Sequence, residues 1–267
     1  MATKNAVVNY EQQFYLSGIQ LSGVTSINGS YGISESPINI IGKGYTYPTR
    51  TGPMEGQFSI SKYYIGQEPL LNYTGDNHIS GSINFNNRSF GFSTGYLTSY
   101  SISCSIGSIP TTSASISVYG DIGSGIDSSG VNPHPAIQIP NQGSISLTAS
   151  GYETNRITSF NYSLRTDRNP VYKVGSPYPV QVDRKFPFVQ QASFTVEVND
   201  FEVTKMREYL IKPRQQDLQI SFANPINDNN IETFTLKNAR LLSQGLSSSA
   251  DGITKVELGY TAYINKK

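Results

Sequence analysis

The sequence predicts an all-β protein with a minor helix, made of two tandem β-sandwich or barrel-like domains, and three observations carry that reading. Glycine (24) and tyrosine (18) are abundant while charged residues make up 15% of the 267 positions, a balance that favours strands and turns over helices. Polar and apolar residues alternate strictly through the clearest segments, as half-buried strands require. Residues 14–42 and 147–175 also read as two copies of one segment. Ser17, Gly18, Thr25, Ser26, Asn28, Ser30, Pro37 and Gly42 each recur 133 positions later without a gap. Weaker echoes extend the repeat: Gln57-Phe-Ser-Ile60 with Ser193-Phe-Thr-Val196, and Ala114–Tyr119 with Val256–Thr261. Each copy is about 120 residues, a normal domain size.

The first strand of the repeat puts Ser26, Asn28 and Ser30 on one face and Ile27, Tyr31 and Ile33 on the other. Its second copy sets Ser159, Asn161 and Ser163 against Phe160, Tyr162 and Leu164. Between them, Ser99–Ile106 alternates Ser101 and Ser103 with Tyr100, Ile102 and Cys104, and Ser113–Tyr119 behaves alike. Each module therefore offers a sheet with one polar face, rich in small hydroxyls in the first copy. One segment breaks the pattern: Val203, Met206 and Leu210 recur at helical spacing after a possible Asn199/Glu202 capping box, predicting a helix over 199–211 ended by Pro213. Its counterpart, Tyr63–Leu71, contains Gly66 and Pro69 and supports only a shorter turn. Domains are expected at 1–122 and 143–267, joined by a Gly/Ser/Pro-rich linker at 123–142.

Convergent chemistry is absent from the pattern. His78 sits in a turn-like segment and His134 between two prolines, neither with a spaced partner for metal or nucleophile chemistry. The Asp-containing loops lack calcium-ligand spacing, and Gly120–Gly125 lacks the Lys-Ser/Thr of a phosphate loop. No enzyme, cofactor or metal is expected. A net charge of +1 and the lack of a sustained basic stripe argue against sequence-specific nucleic-acid binding. The basic residues Arg156, Arg165, Arg168, Lys173, Arg184 and Lys185 are interleaved with Asp167 and Asp183 and suit solvated or interface pairing. Cys104, the single cysteine, rules out an internal disulfide and fits cytoplasmic assembly. Nothing in the chain reads as a secretion signal or an apolar span, so membrane insertion is not expected.

The run Ile157–Pro177, containing Pro170-Val-Tyr-Lys-Val-Gly-Ser176, followed by Phe186–Val198 with Ala192-Ser-Phe-Thr195, resembles tail tube proteins of tailed bacteriophages. The first copy matches more weakly through Ser36–Gly42 and Glu55–Ile60. The resemblance implies domains whose inner sheets join side by side into a ring. Three duplicated chains would supply six pseudo-equivalent domains, and stacked rings would form a hollow tube for genomic DNA. The partners so implied are further copies of the chain and other tail proteins, and the location is the virion. A ring built head to tail closes only at the right rotation per unit. On this reading Ser26, Asn28, Ser30, Ser101, Ser103, Ser159, Asn161 and Ser163 face the channel. The loops 42–54 and 175–188 look like the family's loop that reaches the adjoining ring, with Tyr45, Tyr47, Arg50, Tyr178, Arg184 and Lys185 as contacts. Two alternatives stay open: a specialised baseplate or tail-end ring of the same fold, and a tandem carbohydrate-binding or adhesin module. The second is disfavoured by the absence of tryptophan.

Overall fold

The computed structural model describes residues 12–44, 46–85, 88–130, 139, 145–149, 152–154, 156–197, 215–223, 230–248 and 252–266. Within them the chain is almost entirely β. The first module contains β1 (Gln12–Leu16), β2 (Ile19–Gln20), β3 (Val24–Asn39), β4 (Thr46–Tyr63), β5 (Ile79–Phe85), β6 (Arg88–Ser105), β7 (Thr111–Val118) and β8 (Ile122–Ser124). The second contains β9 (Ile145–Ala149), β10 (Tyr152–Thr154), β11 (Ile157–Arg165), β12 (Arg168–Val171), β13 (Gln181–Arg184), β14 (Phe188–Glu197), β15 (Gln216–Ala223), β16 (Asn230–Ser247) and β17 (Lys255–Ile264).

The duplication seen in the sequence is a duplication of topology. In the first module, antiparallel neighbours run β2-β1-β5-β6 in one layer and β6-β7-β4-β3 in the other. The second repeats the order as β10-β9-β15-β16 and β16-β17-β14-β11. The 18-residue strands β6 and β16 serve both layers of their modules. The bulges repeat as well. Register shifts fall between Val24/Ser26 and Ile157/Ser159, and between Leu97/Ser99 and Leu241/Ser243.

These shared bulges correct one sequence match. They align Ser61 with Thr195, so Ile60 is the counterpart of Phe194, where the sequence echo paired Phe58 with Phe194. A slip of two residues keeps every side chain on its own face, so alternation cannot detect it; a bulge fixes the register.

Apolar residues of both layers fill each interior. Phe58 of β4 lies 4.7 Å from Phe92 of β6, while Phe160 of β11 meets Phe222 and Phe234 at 5.7 and 6.3 Å. Gly29 has a packing role: a Cβ there would stand 2.8 Å from the Phe58 ring, which covers the glycine. Between modules, Tyr64 lies 5.2 Å from Phe222, so the two interiors are continuous.

Tyr63–Leu71 forms the expected short turn, a 3-10 segment at Pro69–Tyr73. The helix expected at 199–211 lies outside the described residues. The linker expected from residue 123 begins as part of the first module. β8 pairs with β6, and Asp127 and Ser128 are held on β5 by Asn84 (2.8 Å) and by Ser80 and Ser82 (2.6 and 2.9 Å).

Candidate functional site

The modules meet strand to strand. Along the β6·β11 seam, Ser101 stands opposite Ser163, Ser103 opposite Asn161, and Ser105 opposite Ser159. Core-side partners alternate with them: Ile102 faces Tyr162 and Tyr100 faces Leu164, all buried. The inner layers thus fuse into one eight-stranded sheet, β3-β4-β7-β6-β11-β14-β17-β16.

One face of this sheet carries nearly unbroken rows of short polar side chains. The longest reads Ser26, Ser61, Ser113, Ser101, Ser163, Gln191, Thr261 across seven strands and ends on Arg240. The next reads Thr111, Ser103, Asn161, Ser193, Gly259, Ser243. Ser30 joins a parallel row through Gln57 and Ser117. All eight residues expected on a channel wall therefore share one face, and each is exposed or half-exposed. Hydroxyls bond across the strands, Ser101 to Ser113 at 2.8 Å, Ser103 to Thr111 at 3.1 Å and Ser159 to Thr195 at 2.8 Å. Each such bond joins two neutral groups, and the ladders carry no charge. An open groove here, lined by Asn161, Ser163, Gln191, Ser193, Ser243 and Gly259 among others, contains no carboxylate, amine or imidazole.

The loop residues divide. Tyr45 lies outside the described residues, and Tyr47 and Arg50 are placed by backbone alone, on β4 opposite Ile38 and Glu35. Tyr178 and Arg184 are engaged with the first module of the same chain. The hairpin β12–β13 lies against that module, with Tyr178 bonded to Asp121, Tyr172 to Glu55 (2.9 Å) and Arg184 to Asp76 (2.7 Å). Lys185 is exposed, and its backbone N–H donates to Asp167.

The anchor of this hairpin is Arg168, which sequence reading left among solvated or interface cations. Its side chain is fully buried; Nη2 donates to the carbonyls of Gly75 (2.7 Å) and Leu97 (3.5 Å), and the guanidinium sits 5.1 Å from the Tyr96 ring centroid. Burial, then the nearby Arg184, lowers its pKa from the usual arginine value. Thr166 beside it, also buried, donates its hydroxyl to the same Leu97 carbonyl.

A second polar cluster was also missed. Lys62 of β4 and Glu68, both buried, form an ion pair at 2.9 Å, and Glu68 caps the 3-10 turn through the Leu70 N–H. Glu232 of the second module reaches the same place, accepting from the backbone N–H groups of Glu68 and Thr233. Burial, helped by the Glu68 charge, raises the Glu232 carboxyl above its ordinary range despite those hydrogen bonds. A carboxyl raised in the folded state binds its proton more tightly there than in the unfolded chain. Ionised Glu232 therefore costs stability at neutral pH, and that cost disappears as pH falls through the raised pKa. Glu232→Gln is expected to be more stable than wild type near pH 7, the difference shrinking toward pH 4. Parallel pH profiles for the two proteins in denaturant unfolding would contradict this.

Among the described residues, no group of three or more His, Cys, Asp or Glu is placed to hold a metal ion. Cys104 is half-buried opposite Phe160 on the seam, and burial raises its thiol pKa. No described helix is long and apolar enough to cross a membrane. No family model and no curated protein matches the chain.

Proposed function

We propose that the protein is a structural subunit of a bacteriophage tail, assembling from three chains into a pseudo-sixfold ring and stacking into the tube that passes DNA. The observation that supports this best is the β6·β11 seam. Two like modules are joined edge to edge, with the same lateral order and with one polar face running through the junction. Among the described residues, β3 pairs on one edge with β4, and the inner-layer half of β16 pairs on one edge with β17. A sheet that ends in two such edges adds further copies head to tail, and closure removes the edges. Three sheets of eight strands, spaced about 4.8 Å and tilted about 40°, close a barrel with an opening of about 40 Å, wide enough for duplex DNA.

Function on this reading needs no reaction, only a wall that does not grip its cargo. Short uncharged hydroxyls, hydrogen-bonded among themselves, offer phosphates no counter-charge and so no counterion-release affinity. Ser26→Lys with Ser30→Lys would place two ammonium groups per chain beside Asn28. Virions carrying both substitutions are expected to eject DNA several-fold more slowly, with the defect relieved at high salt. Ejection at the wild-type rate would remove these residues from the channel wall.

A further inference from the structure

The internal seam, taken as a template, specifies the contact between chains, and that contact has a different chemistry. The shared bulges make β3 the equivalent of β11 and the inner half of β16 the equivalent of β6. Carrying the β6·β11 register over places Asn28 of one chain opposite Ser247 of the next, Ser30 opposite Gly245, Gly29 opposite Leu246 and Tyr31 opposite Gln244. The template pairs Tyr162–Ile102 and Leu164–Tyr100 are buried at the internal seam. At the outer edges, Tyr31 and Leu246 are each 54% exposed, although they occupy core-side positions. Over Gly29 lies the Phe58 ring, an apolar surface for Leu246 to meet. Gln244 has neither side-chain oxygen nor nitrogen hydrogen-bonded, though both atoms are buried.

The substitutions between seams are paired. Inside the chain, Thr166 packs by Thr98 and buried Arg168 sits over Tyr96. At the outer edges the same positions are Ile33 and Leu242, exposed by 42% and 60%, and Glu35 and Arg240. A polar pair has become an apolar pair, and a cation on an aromatic ring has become an anion facing a cation. Arg240, beside which Gln215 accepts a hydrogen bond, lies at the end of the polar row, and Glu35 is exposed.

We propose, building on the ring reading, that β16 of one chain pairs with β3 of the next in this register, with Ile33 on Leu242 and Glu35 bonded to Arg240. The two seams are then not interchangeable. A β6 edge offered to β3 would set Tyr96 against Glu35, and a β16 edge offered to β11 would set Arg240 against Arg168; the first loses the Glu35–Arg240 pair and the second opposes like charges. First and second modules must alternate round the ring.

Two experiments test this on the full-length protein. In a Cys104→Ser background, Asn28→Cys with Ser247→Cys is expected to oxidise into covalent multimers, because opposed strand positions meet disulfide geometry. Gly32→Cys with Ser247→Cys, four residues out of register, is expected to remain uncrosslinked. Separately, Glu35→Arg and Arg240→Glu are each expected to reduce assembly at least tenfold, and the combination to restore it. Rings that form without the in-register crosslink, or a double charge reversal that fails to restore assembly, would overturn the proposed contact while leaving the ring intact. A wild-type chain that forms no rings would overturn the functional reading beneath it.

Discussion

Glu68→Ala is expected to cost about 3–5 kcal/mol of folding stability, the range for removing one partner of a buried ion pair. Lys62 and Glu68 are both buried, so the substitution strands an ammonium group that water cannot reach. It also removes the cap on Leu70 and the charge that adds to burial in raising Glu232. Replacing both partners is a different experiment. The structural equivalent of Lys62 in the second module is Val196, fully buried at the same point of the same sheet. Lys62→Met with Glu68→Met is expected to recover most of the loss, since a well-packed apolar pair of similar volume replaces a buried ion pair at little cost. Urea unfolding of the three proteins checks this; a Glu68→Ala unfolding free energy within about 0.5 kcal/mol of wild type would contradict it.

Arg168→Ala is expected to lower stability by about 2–4 kcal/mol and to detach the β12–β13 hairpin from the first module. The loss combines a buried aliphatic stem, the donor to the Gly75 carbonyl, a longer bond to the Leu97 carbonyl that Thr166 also serves, and a cation over Tyr96. Lysine is expected to recover less than half, because a compact, strongly hydrated ammonium group lacks the flat guanidinium that lies over Tyr96 while its Nη2 reaches the Gly75 and Leu97 carbonyls. Hydrogen exchange gives the local readout: amides 168–184 should lose protection in Arg168→Ala while those of β11 and β14 keep theirs. Protection unchanged across the hairpin would show that other contacts hold it.

Much of this architecture was legible in sequence because period-two alternation and a gapless repeat are local signals. Ser26, Asn28 and Ser30 could be placed on one face with Ser159, Asn161 and Ser163 without knowing which strands pair. The β6·β11 seam was not legible, since nothing local states that Ser101 will meet Ser163, 62 positions further on. Lys62 did leave a trace. It shares the parity of Phe58 and Ile60 on β4 and of Tyr64 just after it, and a lysine on an apolar face calls for a buried partner. Arg168 left none, because its burial comes from a hairpin folding onto the other module. The sequence offset of the β4 and β14 echoes erred by two for a physical reason: bulges, which set register, carry no composition of their own.

In the proposed ring, the seam joining the two modules is repeated between chains. Electron microscopy of the purified full-length protein tests it most directly. Rings or short tubes with a central hole, six lobes in end view and a mass of three 29.2 kDa chains per ring are expected. A monodisperse monomer at concentrations of tens of micromolar, with β3 and β16 still unpaired, would contradict it.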